Sequence, residues 1–395
     1  MAAEVAVIGG GPAGLVCAIA LASAGIDTLV IAPKPQDDHR TTALLAGSVT
    51  ALTTLGVWQA CLPHAAPLAA IRIVDDTHRL VRAPEVVFNA SEIGLDAFGH
   101  NIENRHLIAA LSARAAALKL GRREEAALAV ASDASGVTVT LASGKLRVRL
   151  AVGADGQHSL CRAVAAIGTD RRTYRQSALT LNLAHARPHH DGATEFHTES
   201  GPCTLVPLPD QRSSLVWVLE PERAAAVADM QDGDLGAEIE HRTHSLLGRM
   251  TVEPGRGLFP LAIEVARTFA RSRIALAGEA AHVVPPIGAQ GLNLGLRDAA
   301  TLAEIVAEAR RHDLDIGSPG VLGRYDAQRR ADATSRRIAI DLLNRSLLTD
   351  LLPVQGMRGL SFYLVDRIGL LRRALMREGI APAASQPRLM RGEPV

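Results

Sequence analysis

The segment Val5-Ala-Val-Ile8-Gly9-Gly10-Gly11-Pro12-Ala13-Gly14-Leu15-Val-Cys17-Ala-Ile-Ala20 constrains this chain more than any other. An apolar run of strand length meets a glycine turn and then a second apolar run of helix length, the order that a dinucleotide-binding βαβ unit requires. Gly9 permits the tight turn. Gly11 keeps side chains away from a pyrophosphate, and Gly14 lets a helix that starts at Pro12 and Ala13 lie close on the strand. The free amides and the dipole of that helix end then attract phosphate before any side chain contributes. An ordinary glycine-rich turn is the competing reading, and the full strand, loop and helix context favours the dinucleotide site.

No charge occurs from Val5 to Ile26, so the stretch also has the composition of a membrane span. Four glycines and Pro12 in its middle would interrupt a spanning helix, and no Lys or Arg precedes Lys34 to begin a signal peptide. The few residues ahead of Val5 leave no room for a transit peptide, and a cytoplasmic protein is expected. Its 395 residues, 48% of them apolar, suffice for two or three structural units around a large core. A net charge of +1 gives no argument for a nucleic-acid partner; of 42 basic residues all but three are Arg, a compositional bias. Cys17, Cys61, Cys161 and Cys203 lie far apart, which argues against a disulfide framework or a metal site and fits a reducing compartment. Cys17, on the apolar first helix, reads as a small core residue.

Thr28 to Ala32 reads as the second strand. A Glu or Asp normally ends that strand and takes the ribose hydroxyls, but the position holds Ala32; Asp37 or Asp38 would have to reach in from the loop, or else are solvated. Arg40 is either a bidentate phosphate clamp or a solvated surface residue. The run from Arg40 to Ser48 leads into an apolar helix ending at Leu55-Gly56-Val57-Trp58, and residues 71–75 and 79–88 look like strands. A helix starting with Ile102-Glu103-Asn104-Arg105 ends near Gly121. Arg105 in its first turn opposes the helix dipole, which makes a bound anion or cofactor a reason for it. Residues 136–150 alternate as a hairpin and deliver the chain to Gly153-Ala154-Asp155-Gly156. Asp155 there either holds a cofactor or caps the helix that starts near Ser159. Alternating segments at 178–184, 194–197, 203–207 and 213–219 read as an antiparallel sheet, the expected substrate domain. A helical stretch at 222–249 follows, and residues 273–277 return as a strand to the nucleotide sheet.

After that strand come Glu279, a loop with Pro285, Pro286 and Gly288, and a long helix entered at Gln290-Gly291-Leu292-Asn293. Amides at such a helix end would stabilise negative charge on the pyrimidine edge of a reduced flavin. His282 lacks a Ser, Cys or metal-ligand neighbour and reads as a hydrogen-bonded packing residue.

These three motifs, in this order and at these separations, resemble the class A flavoprotein monooxygenases with the para-hydroxybenzoate hydroxylase fold. Within that group Glu103-Asn104-Arg105, Leu55-Gly56-Val57-Trp58 and Gly291-Leu-Asn293-Leu-Gly-Leu-Arg297-Asp298 most resemble the ubiquinone-biosynthesis hydroxylases. The resemblance implies an α/β chain with a Rossmann-like FAD-binding domain at 1–70, 100–170 and 270–335, a substrate domain at 71–99 and 171–269, and a C-terminal helical region at 336–395. It implies that Gly9, Gly11, Pro12, Ala13, Gly14, Arg40, Arg105, Asp155, Glu279, Pro286, Gly288, Gly291, Leu292 and Asn293 contact FAD. Ala32 and Glu279 depart from the family pattern, which has a carboxylate at the first position and an Asp at the second. The implied activity is insertion of one atom of O2 into a prenylated phenol through a flavin C4a-hydroperoxide, with NAD(P)H as a transient electron donor. The ring would be held in a dry, largely apolar pocket, with Leu181 or Trp217 of the sheet and Pro285-Pro286 in its wall. No side chain presents itself as a catalytic base, and the flavin carries the bond chemistry.

Met357, Leu360, Leu364, Ile368, Leu371 and Leu375 recur at helical spacing among Arg358, Arg367, Arg372, Arg373 and Arg377, a basic amphipathic helix. It can lie on the inner face of an anionic membrane or on a quinone-biosynthesis partner, or dock on the protein's own core. A hydroxylase of a soluble phenol and a non-catalytic FAD-fold subunit of a quinone-making complex stand beside the main reading.

Overall fold

The computed structural model describes residues 3–34, 38–77, 82–348, 368–380 and 386–395. Strand β1 (Val5–Ile8) is buried along its length between β2 (Thr28–Ile31) and the strand Leu150–Gly153, both parallel to it. Three further pairings complete a six-stranded sheet that runs from Ala270–Arg271 through Ile274–Leu276, Leu150–Gly153, β1 and β2 to Gly121–Arg123. Helix α1 (Pro12–Ser23) packs on this sheet and also against the helices Asn104–Ala117 and Gln290–Arg311. Burial on several sides explains why α1 is apolar all round and why no charge interrupts Val5 to Ile26.

The glycines let the three motifs approach one another more closely than side chains at these positions would allow. Gly9 sits at φ +128°, and a Cβ there would overlap the Ala154 carbonyl; one on Gly14 would overlap the carbonyl of Gly9. On the third side, a Cβ on Gly278 would come 2.8 Å from that of Ala13.

A second, nine-stranded sheet carries the long strands Thr169–His185, Gly192–Thr198, Gly201–Leu208, Arg212–Leu219 and Gly257–Ala266. It is antiparallel except where Ala70–Asp75 runs parallel to Gly192–Thr198. The strand Gly257–Ala266 is not among the expected strands, and it contains Pro260, a residue disfavoured within a sheet. Pro260 is accommodated opposite Ser177, where the register slips between Thr173 and Ser177. The expected helix at 222–249 divides into Pro221–Ala228 and Asp232–Arg242. Residues 78–81 lie outside the described residues, and the described part of the expected strand at 79–88 forms Val86–Asn89.

Leu181 and Trp217 are corrected by this sheet. They share a face with Leu179, Leu183, Leu205 and Leu215 and pack beneath Ala224, Val227, Leu235 and Ile239 of the two helices. Side chains alternate along a strand, so the opposite face carries Thr180, Asn182, Ser214 and Val216. This face meets the nucleotide-binding part: Asn182 Nδ2 donates to the His39 carbonyl at 3.1 Å, and Asn101 Nδ2 donates to Ser214 Oγ at 3.0 Å.

Between the two sheets lie the strands β3 (Thr41–Leu45), Ala65–Pro67 and Gly99–Glu103, followed in the first case directly by helix α2 (Ala46–Thr54). Residues 349–367 lie outside the described residues, including Met357, Arg358, Leu360, Leu364 and Arg367 of the expected amphipathic helix. Its described part, Gly369–Ile380, docks through Arg372 and Met376. Arg372 reaches both carboxylate oxygens of Glu92, at 2.6 and 2.9 Å, and lies 4.6 Å over the Phe88 ring. Ile368, Leu370 and Leu375 are 45%, 77% and 51% exposed. The segment 386–395 buries Leu389 and Met390 against α2 and the Gln290–Arg311 helix.

Replacing Gly9 by Ala is expected to cost about 3 kcal/mol in urea unfolding of the apoprotein, since overpacking and a left-handed φ add. Gly11→Ala, whose Cβ would meet nothing within 4 Å, is expected to stay within about 1 kcal/mol of the parent.

Candidate functional site

Two helix ends stand side by side at the carboxyl edge of the parallel sheet. At α1 the cap is Gly11, and no side chain bonds the first-turn amides. The Gln290–Arg311 helix is entered through Gly288 (φ +63°) and Ala289 (φ +54°), again with no side-chain cap. Ala289 has no glycine freedom at that angle, so the turn holds roughly 1–3 kcal/mol of strain. Gly11, Gly156 and Gly291 all face open space, where a Cβ would meet no atom within 4 Å. Uncapped amides bordering an open, glycine-lined floor fit a ligand with a diphosphate and an electron-rich ring. The site therefore accepts FAD in its geometry and in its donor set.

Asn293 has a different task from the one its sequence position suggests. Its Oδ1 accepts from Leu45 N at 2.9 Å and Ser48 Oγ at 2.6 Å, while its Nδ2 donates to the carbonyls of Ala43 at 2.8 Å and Ala289 at 2.5 Å. All four hydrogen-bonding positions of the amide are used on protein, so the side chain ties β3 and α2 to the helix entrance. Leu292 is half-buried beside it, Pro285 is buried, and Pro286 is exposed.

Asp155 accepts from Ser159 Oγ at 2.6 Å and from Cys161 N at 3.1 Å, as a helix cap does. Arg40 gives Nε and Nη2 to Asp38 at 2.9 and 2.8 Å. The Asp38 bond outweighs burial and, with the charge of Asp38 and then of exposed Glu279, raises the Arg40 pKa above its usual value. Burial works against the charge of Asp38, but bonds from Arg40 and from Asn104 Nδ2 outweigh it and hold the carboxyl below its usual range. Asp38 is thereby occupied and does not reach a ribose; Asp37 lies outside the described residues. The anion beside Arg105 is Glu103, at 2.5 Å, which also binds Arg212 at 2.6 Å and so ties the strand Gly99–Glu103 to the nine-stranded sheet.

Beneath the Glu279 turn runs a buried ionic chain. His282 Nε2 is 2.7 Å from Asp298 Oδ2, Arg329 Nε donates to Asp298 Oδ1 at 2.7 Å, and Asp332 accepts from both Arg329 and Arg297, at 2.6 and 2.9 Å. Asp298 also accepts from Gly278 N at 2.9 Å, which fixes the turn that presents Glu279. His282 is thus a hydrogen-bonded packing residue. The parts played by Asp298, Arg329 and Asp332 have no signature in the sequence beyond the helical spacing of the last two. All four cysteines are free and buried, and the described residues contain no cluster of His, Cys, Asp or Glu able to hold a metal.

An α/β nucleotide fold with two uncapped helix ends and a second sheet closing over them is the architecture of a flavin-dependent oxidoreductase. A family model for an FAD binding domain matches residues 2–336. The ubiquinone hydroxylase UbiL of Rhodospirillum rubrum is 34% identical over 100% of this chain and 94% of its own length. The 3-demethoxyubiquinol 3-hydroxylase of Escherichia coli is 33% identical over 95% and 97%. Among solved structures, p-nitrophenol 4-monooxygenase PnpA from Pseudomonas putida shares the fold, with a TM-score of 0.78 over 97% of this chain and 99% of that one at 19% identity. The chain belongs to the FAD binding domain family and, within it, to the FAD-dependent monooxygenases that include the ubiquinone hydroxylases.

Burial opposes the charge of Asp298, but His282 and Arg329 overcome it and hold its pKa down. A depressed carboxyl stabilises the fold above its unfolded pKa of about 3.9, and that stability disappears as pH falls through the folded value. Asp298→Asn, which leaves buried Arg329 with Asp332 as its remaining carboxylate and His282 without one, is expected to cost about 3–5 kcal/mol near pH 7 and to flatten the acid limb of a stability-against-pH curve.

Proposed function

We propose that this enzyme hydroxylates the ring of a prenylated phenol in ubiquinone biosynthesis, using NAD(P)H and O2. End-to-end similarity to two ubiquinone hydroxylases is the observation that carries this reading. FAD, when bound, supplies the redox chemistry: it accepts electrons from the nicotinamide and passes them to dioxygen.

The chain's own residues bind, orient and keep water out. Amides around Gly9, Gly11, Pro12, Ala13 and Gly14 would take the diphosphate, with Arg40, Arg105, Asp155 and Glu279 bordering the chain that leads to the ring. The helix entrance from Gly288 through Gly291 and Leu292 to Asn293, with Pro286 beside it, would hold the ring and stabilise negative charge on its pyrimidine edge. Across the cleft, the sheet face with Thr180, Val216 and Phe259 would receive the phenol and exclude water.

The membrane is the proposed meeting place with so apolar a substrate. Among the described residues no helix is long and apolar enough to cross a bilayer. Exposed Ile368, Leu370 and Leu375 beside exposed Arg373 and Arg377 suit peripheral contact with an anionic surface.

The purified protein is expected to be yellow and to oxidise NAD(P)H faster when a phenolic quinone precursor is added. Mass spectrometry of a deletion strain should show an intermediate that lacks one ring hydroxyl; a normal quinone pool would remove this substrate. The double change Leu370→Glu and Leu375→Glu is expected to cut co-sedimentation with anionic vesicles several-fold while leaving FAD content unchanged.

A further inference from the structure

The end of β2, where a carboxylate would face the ribose, carries only the methyl of Ala32, 2% exposed and set against Gly10. Asp38 is committed to Arg40 and Asn104. The neighbouring strand supplies what β2 lacks. Gly121–Arg123 runs parallel to β2 with Leu29 beside Gly121, Val30 beside Arg122 and Ile31 beside Arg123, and Ala32 N donates to Arg123 O at 3.1 Å. Continuing that register sets Glu124 beside Ala32, on the same face and about 4.8 Å away across the strands.

We propose that Glu124 accepts the ribose hydroxyls of the adenosine half of FAD, in place of a carboxylate on β2. The side chain is 50% exposed, and its oxygens stand 3.9 Å from Lys34 Nζ and 3.8 Å from Arg122 Nε, too far for hydrogen bonds. Its acceptor positions are therefore open to a ligand. It lies at the carboxyl end of its strand, the edge of an α/β sheet where dinucleotides bind. Glu125, the adjacent acid, is bonded to Ser143 and does not compete. The assignment rests on the binding of FAD alone and is independent of the phenol substrate.

The test is titration of the apoprotein with FAD and, in parallel, with FMN, which has the flavin and ribityl phosphate but no adenosine. Glu124→Ala is expected to weaken FAD about tenfold and leave FMN unchanged, with the thermal midpoint of the apoprotein unaltered. Glu124→Gln should fall between the parent and the alanine variant. Adding Ala32→Glu to Glu124→Ala should restore most of the FAD affinity. Unchanged FAD affinity in Glu124→Ala, or an equal loss for FMN, would overturn the assignment.

Discussion

Close approach at glycine is the constraint on which this molecule rests. Gly9 and Gly14 bring the first motif against Ala154 of the second, and Gly278 brings the third against Ala13, so three segments separated by well over a hundred residues in sequence share one small volume. A methyl group at either of the first two would force strand and helix apart, and the phosphate-facing amides would move with them. The cofactor site is thus a by-product of how tightly the main chain can pack.

That volume is held by polar ties rather than by further apolar packing. Asn293 spends its whole amide on β3, α2 and the helix entrance. The chain from His282 through Asp298 to Arg329 fixes the turn below Glu279. Glu103 with Arg212, and Asn101 with Ser214, seat the second sheet against the three strands that lie between the sheets. Groups of this kind are costly to bury and costly to break, which favours one arrangement over near alternatives.

The α/β class, the nucleotide turn and both later motifs were legible because they depend on local patterns: an apolar run, a glycine spacing, a helix start. The inner wall of the cleft was not, because periodicity shows that a strand has two faces without showing which one meets the other domain. Leu181 and Trp217 look like pocket residues for their size, yet they face two helices that the sequence reading had merged into one. Gly257–Ala266 was not among the expected strands, and its Pro260 is accommodated at a register slip formed with a distant strand. Arg40 and Arg105 show the limit for charges: type and position were evident, but Asp38 and Glu103 as their immediate partners required coordinates.

The helix Gly369–Ile380 has an effect on the sheet it touches. Val86–Asn89 is the outermost strand on its side, and a row of free peptide groups there would recruit a strand from a neighbouring molecule. Arg372 already donates to the Val87 carbonyl and clasps Glu92 just beyond. The opposite hazard, at Gly121–Arg123 in the first sheet, is met by two arginines followed by two glutamates. Both open margins are therefore guarded against intermolecular sheet growth, one by a docked helix and the other by charge.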